Sequence, residues 1–131
     1  MLLEHRPLAQ VLTIAAGGAV GALMRFWVSN GVYALLGRGF PYGTMAVNVL
    51  GSFIMGLLYI LFLERMSVSP EWRGALLIGF LGAFTTFSTF SIETLNLMEQ
   101  AEFAKAGLNM FLSVAACLFA CWGGVILGRQ L

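Results

Sequence analysis

The sequence predicts an all-α membrane protein built from four transmembrane helices. Three observations carry this. Of the 131 residues, 60% are hydrophobic and only 10% are charged, whereas soluble domains average about 25% charged. Four stretches, about 8–29, 44–63, 74–99 and 106–128, each hold the roughly 20 apolar residues that a bilayer-crossing helix needs. Charges and prolines collect between them: Arg38 and Pro41, then Glu64, Arg65, Pro70, Glu71 and Arg73, then Glu99, Glu102 and Lys105. These connections are too short for a soluble domain, so residues 1–131 read as a single membrane domain. A net charge of +1 does not suggest nucleic-acid binding. No nucleophile–base pair and no metal-ligand cluster marks an enzyme.

The first stretch begins after "MLLEHRP" and runs into "AAGGAVGA", which has the look of a secretory signal. Glu4 stands beside Arg6, however, and three further spans follow, so 8–29 reads as a transmembrane helix. His5 is a solvated flank. Helix 1 carries Thr13, Gly17, Gly21, Arg25 and Ser29 at four-residue steps, and such residues share one helix face. The Gly17/Gly21 spacing suits close helix packing. Arg25 is open to two readings: a side chain that snorkels to the headgroups, or a cation at a water-filled vestibule.

Helix 2 repeats the pattern with Thr44, Asn48, Ser52 and Gly56. A carboxamide at membrane depth is costly unless paired. Asn48 therefore reads either as a cap near the interface or as a polar group facing the bundle interior. Helix 4 has Asn109, Ser113, Cys117 and Cys121 on one face, with a second glycine pair at Gly124 and Gly128. The two cysteines sit one turn apart, where Cβ atoms are about 5–6 Å apart. A disulfide requires about 3.8 Å, so they read as small packing residues.

Helix 3 is the unusual element. "GFLGAFTTFSTFSIET", residues 79–94, places Phe84, Phe87 and Phe90 three apart and fills the gaps with Thr85, Thr86, Ser88, Thr89 and Ser91. Steps of three drift by about 60° each on an α-helix, so the phenylalanines cannot form one stripe. With Gly79 and Gly82 just before, the segment predicts a helix that breaks near its middle. Breaks at membrane depth are tolerated where they are buried in protein or line a water cavity, and they expose backbone groups that hold ions. Glu93 is the carboxylate placed well inside the span, and it must be paired, hydrogen-bonded or protonated. Hydroxyls and carboxamides donate hydrogen bonds, and an aromatic ring has a positive edge. Together they make an anion-friendly lining without the deep well that a Lys or Arg would create, and conduction needs binding weak enough to release. Hydroxyls also accept, so the same lining is open to a cation.

Four spans put both termini and the 64–73 loop on one side. That side holds Arg6, Arg65, Arg73 and Arg129, against Arg38, Lys105 and Arg25 on the other. Four against three is a weak orienting bias, which permits insertion both ways and an antiparallel dimer.

The motifs "GxxGxxTTFSTFSxE" in helix 3, "GTxxxNxxGxxxxG" in helix 2 and "GGxxGxxxR" in helix 1 resemble the Fluc/CrcB fluoride channels of bacteria over nearly the whole chain. The resemblance implies an antiparallel, dual-topology homodimer in the bacterial inner membrane, with two fluoride pores along the dimer interface. It implies that Phe87 and Phe90 offer ring edges to fluoride and that Asn48 donates from helix 2. Ser88, Thr89 and Glu93 match the family's polar track; Asn109 and Ser113 extend the pore lining on helix 4, and Arg25 serves the vestibule. It further implies a structural Na+ at the dimer centre, held by backbone carbonyls of Gly82 and Thr85, since carbonyl oxygens suit a hard cation. The expected activity is passive export of cytoplasmic fluoride. The chain departs from the family pattern at Ala83, where many members have Gly, at Phe84, where others have a smaller aliphatic, at Asn109, where some have Tyr, and at Cys117, where others have Ser.

Two other readings compete. A dual-topology, proton-coupled exporter of small molecules would need a membrane carboxylate in helix 1, where this chain has none. A non-transporting scaffold would explain the small-residue stripes as packing but leaves the period-three segment unexplained.

Overall fold

The computed structural model describes residues 2–131, with side chains from residue 7 onward; the reading of His5 and the place of Arg6 in the charge count lie outside the described side chains. Four helical segments are long and apolar enough to cross a membrane: Pro7–Leu36, Tyr42–Arg65, Pro70–Glu99 and Phe103–Gln130. The chain is therefore a multi-pass membrane protein, and its outward faces carry exposed Leu12, Phe26, Trp27, Phe119 and Trp122, as lipid contact requires.

Helix α1 covers Leu2–Leu36 and ends seven residues beyond the boundary expected at 29. Ser29 does not stop it, because its hydroxyl donates to the Arg25 carbonyl one turn back at 2.6 Å. Termination comes at Gly37, whose φ of +83° is the left-handed conformation glycine adopts freely. Its N–H closes the end on the Tyr33 carbonyl at 2.8 Å.

Helix α2 (Tyr42–Ile60) continues as a wider π-helical turn, Leu61–Arg65, before the chain becomes extended at Met66. The third span is composite. Ser69 caps α3 (Pro70–Arg73) by accepting from the Trp72 N–H, with Pro70 at the first helical position. A π-helical stretch, Gly74–Phe80, leads into α4 (Leu81–Phe84). Thr85 (φ −88°, ψ 158°) and Thr86 (φ −151°, ψ 123°) are extended, and α5 (Phe87–Glu99) starts afresh. After a tight turn with Ala101 at φ 60°, α6 runs Phe103–Gln130.

Small residues set the packing. α1 lies against the π-helical stretch, and α2 lies along α6. A Cβ on Gly17 would strike the Ala75 carbonyl, and one on Gly21 the Phe80 carbonyl. The second contact is reciprocal: a Cβ on Gly56 would meet the Cys121 carbonyl, and one on Gly124 the Phe53 carbonyl. Backbones this close replace the hydrophobic drive that lipid cannot supply between helices. At one end of the bundle Arg129 pairs with Glu64 at 3.8 Å and Arg65 donates to the Arg129 carbonyl. At the other, Lys105 donates to the Gly39 carbonyl at 3.2 Å.

The glycine contacts make a paired prediction. Gly56→Ala drives a methyl into backbone and should destabilise the fold by about 1–3 kcal/mol. Gly31→Ala, on a helical position with open space around it, should be neutral or stabilising by up to about 1 kcal/mol. Thermal unfolding in detergent checks both; equal effects would show that the close approach does not hold the bundle.

Candidate ion-conduction groove

The extended pair at Thr85–Thr86 disrupts the backbone ladder, and side chains from other helices repair it. Asn48 on α2 takes both polar groups of Thr86: its Nδ2 donates to the Thr86 carbonyl at 3.0 Å, and its Oδ1 accepts from the Thr86 N–H at 2.7 Å. Thr86 in turn caps α5, its hydroxyl accepting from the Thr89 N–H at 3.2 Å. Arg25 reaches from α1 and donates through Nε to the Ala83 carbonyl at 2.9 Å. Arg25 thus meets the end of α4, and its first partner is backbone of the third span.

These substitutions leave two carbonyls without their usual helical partners. In a continuing α-helix the Thr86 N–H would return to Gly82 and the Thr89 N–H to Thr85. Here the first goes to Asn48 and the second to the Thr86 hydroxyl. Gly82 and Thr85 are the two positions the resemblance marks for a cation. Among the described residues no group of three or more His, Cys, Asp or Glu side chains gathers to hold a metal.

Beside the extended pair lies a groove of about 350 Å³. Asn48, Ser52 and Met55 line it from α2, Thr86, Phe87 and Phe90 from the third span, and Ser113 and Cys117 from α6. The rings of Phe87 and Phe90 lie 5.4 Å apart and tilted by 41°. Phe87 is 77% exposed, so in a single chain the groove is open along one side.

The hydroxyls of the segment divide by what they donate to. Thr85 donates to the Leu81 carbonyl, Ser91 to that of Phe87 and Thr94 to that of Phe90, each one turn back. Those protons are committed to backbone. Thr86 donates to the Thr89 hydroxyl at 3.1 Å, and Ser88 lies 3.4 Å from Thr86. Among the described residues, the Thr89 proton has no acceptor, Ser88 sits at the edge of hydrogen-bond range, and Asn48 uses one of its two amide protons. Of these three, Asn48 lines the groove, and Ser88 and Thr89 lie on the adjoining first turn of α5.

Two sequence-predicted residues sit differently from the rest. Asn109 is only 2% exposed and does not line the groove. It donates to the Thr94 hydroxyl at 2.9 Å and accepts from Ser113 at 3.2 Å, joining α5 to α6. Glu93 lies one turn past Phe90 and faces α1 and α2. Tyr33 donates to one of its oxygens at 2.5 Å and Thr44 to the other. Tyr33 was not picked out from the sequence. The signal was present: Arg25, Ser29 and Tyr33 continue the four-residue row of helix 1, and the row was cut at the expected helix end.

The sequence profile of the CrcB-like proteins (Camphor Resistance, CrcB) matches residues 12–125. The fluoride-specific ion channel FluC of Methylococcus capsulatus is 56% identical over 121 residues, covering 92% of this chain and 53% of that protein. The FluC proteins of Magnetococcus marinus and Geobacter sulfurreducens are 54% and 53% identical, each match covering 92% of this chain and 98% of theirs. The chain thus spans about half the length of the first relative and nearly all of the other two. With a profile match over most of its length and identities above half, the chain belongs to the CrcB family.

Proposed function

We propose that the chain is a fluoride-selective channel that passively exports cytoplasmic fluoride and so confers fluoride resistance. The observation that carries this is the groove at Phe87 and Phe90. It offers two aromatic rings and one Asn48 amide proton, and no cation lines it; the Ser88 and Thr89 hydroxyls lie beside it on the first turn of α5. Several neutral donors offset part of the dehydration of a small anion and still let it go. The relatives named as fluoride-specific ion channels support the choice of anion. Fluoride enters a cell as neutral HF in acid surroundings, dissociates inside and leaves down its gradient through the groove. A proton-coupled exporter has less support: the membrane-crossing part of α1, Pro7–Leu36, has no carboxylate, and Glu93 is engaged by two hydroxyls.

The working unit is an antiparallel, dual-topology homodimer in the bacterial inner membrane, the 131-residue chain acting as one domain. The exposed Phe87 and the open side of the groove support this, because a second copy closes the path away from lipid. A structural Na+ at the dimer centre is held by the Gly82 and Thr85 carbonyls. Both have lost their helical N–H partners, and two such pairs suit a hard, oxygen-seeking cation. Held there, the ion would supply a positive charge facing the carbonyls of both third spans.

Purified protein in liposomes should release fluoride and retain chloride. Phe90→Ile keeps an apolar side chain and removes the ring edge, so fluoride flux should fall steeply while the dimer persists; Phe90→Met should fall less, since a thioether adapts to the gap. Asn48→Ala should lose about ten- to 150-fold in flux, if that site is limiting. Wild-type flux in Phe90→Ile reduces the ring to filler, and wild-type flux in Asn48→Ala removes the donor role.

Dual topology predicts that a single cysteine engineered into an end loop of a Cys117→Ser/Cys121→Ser background is labelled from both faces of intact cells. Complete labelling from one face alone would rule it out.

Sodium bound only to the assembled dimer adds to its stability. Exhaustive exchange into sodium-free buffer, with no replacement ion able to bind, should lower the dimer's unfolding temperature and its flux. A dimer indifferent to that exchange holds no structural sodium.

A further inference from the structure

At the end of α1 lies a cavity of about 330 Å³, separate from the Phe87–Phe90 groove. Its walls include Tyr33, Arg38, Glu93, Asn96 and Lys105. The Arg38 guanidinium carbon sits 4.6 Å from the centre of the Tyr33 ring, a cation over an aromatic face. Lys105 ties α6 to the same loop through the Gly39 carbonyl at 3.2 Å. Two cations and two carboxylates therefore border the cavity: Arg38 and Lys105, with Glu102 at the loop and Glu93 on the face of α5 that leads from Phe90; Glu93 is the one that bears on an anion's path.

The geometry fixes where that carboxylate points. Tyr33 Oη donates to Glu93 Oε2 at 2.5 Å, and Thr44 Oγ1 donates to Glu93 Oε1. Each carboxylate oxygen thus has its own hydroxyl, from α1 and from α2. The phenol oxygen also lies 3.3 Å from the Thr44 hydroxyl and accepts from the Thr44 N–H at 3.4 Å. Glu93 follows Phe90 by three residues, so it occupies the next turn of the same face of α5. A carboxylate free to swing there would stand in the line of any anion leaving the Phe90 ring.

We propose that Tyr33 is a positioning residue for anion passage: stacked against Arg38, its hydroxyl shares the Glu93 carboxylate with Thr44 and holds that charge against α1 and α2, clear of the mouth bordered by Arg38 and Lys105. This rests on the fluoride-channel reading. Removing the hydroxyl alone frees one carboxylate oxygen while leaving the ring and its Arg38 contact in place.

The test uses purified full-length protein in liposomes, as wild type, Tyr33→Phe and Tyr33→4-aminophenylalanine, the last keeping a donor at the ring's para position. Fluoride efflux should fall roughly tenfold or more in Tyr33→Phe and recover most of that loss in the aminophenylalanine variant. The infrared carboxylate band of Glu93, isolated by subtracting Glu93→Gln in each background, should shift in Tyr33→Phe and move back with the amino group. Unchanged flux in Tyr33→Phe overturns the role, as does an unshifted band or an equal loss in both ring variants. A Tyr33→Phe protein that fails to assemble while the amino variant assembles makes the hydroxyl a fold-holding group and also overturns it. A wild type that passes no fluoride sinks the channel reading and this role with it; a conducting wild type with an indifferent Tyr33→Phe sinks this role alone.

Discussion

Asn48 and Thr86 exchange two hydrogen bonds, and the rest of the site depends on that exchange. A chain crossing hydrocarbon has no water to satisfy an irregular backbone. Thr86 is extended in the middle of the third span, so its N–H and C=O would be orphaned there. One carboxamide offers an acceptor and a donor in the plane that a neighbouring peptide would use, and it takes both groups. Thr86 is then free to turn its hydroxyl onto the Thr89 N–H and start α5. Arg25 completes the repair by taking the Ala83 carbonyl. Among the described residues no buried side-chain polar atom is left without a partner.

The same exchange explains how the segment tolerates its hydroxyls and where its open donors lie. Thr85, Ser91 and Thr94, half of the segment's threonines and serines, bond back to carbonyls one turn earlier, which satisfies their protons within the helix. Ser88 and Thr89 escape that pattern because they sit in the first turn of α5, where the carbonyls one turn back belong to the residues around the extended pair. Uncommitted neutral donors therefore appear next to Phe87 and Phe90, where the helix restarts.

The rigidity behind this site comes from glycine. Gly17 and Gly21 seat α1 against the Ala75 and Phe80 backbone, and Gly56 and Gly124 seat α2 against α6. At Gly43, where a Cβ would meet Tyr33 and the Ser29 carbonyl, α1 and α2 also lie close enough to form a wall. Asn48 and Arg25 project from that wall at the level of the extended pair, and Tyr33 and Thr44 project from it one level further on, at Glu93. The opposite side of the groove, with its exposed Phe87, has no such wall within the chain.

Hydropathy and spacing by themselves determined the four spans, the polar face of each helix and the segment that carries the chemistry. Those properties are local: a span needs only a run of apolar residues, and a stripe needs only steps of four. Residues 84–91 stood out because period three and dense hydroxyls conflict with a lipid-facing α-helix, and that conflict is visible in eight residues. The tertiary structure decided which partner each polar group takes. Asn48 meets Thr86 across 38 residues, Arg25 meets Ala83 across 58, and Tyr33 meets Glu93 across 60. No local pattern ranks such partners. Asn109 shows the cost of reading a stripe alone, since it shares a face with Ser113 yet turns inward to Thr94, because a helix face is wide enough to serve both a groove and a buried seam. The length of α1 is decided in the same way: Ser29 folds its hydroxyl back onto its own helix, the helix runs on to Leu36, and Gly37, with a backbone angle other residues resist, ends it.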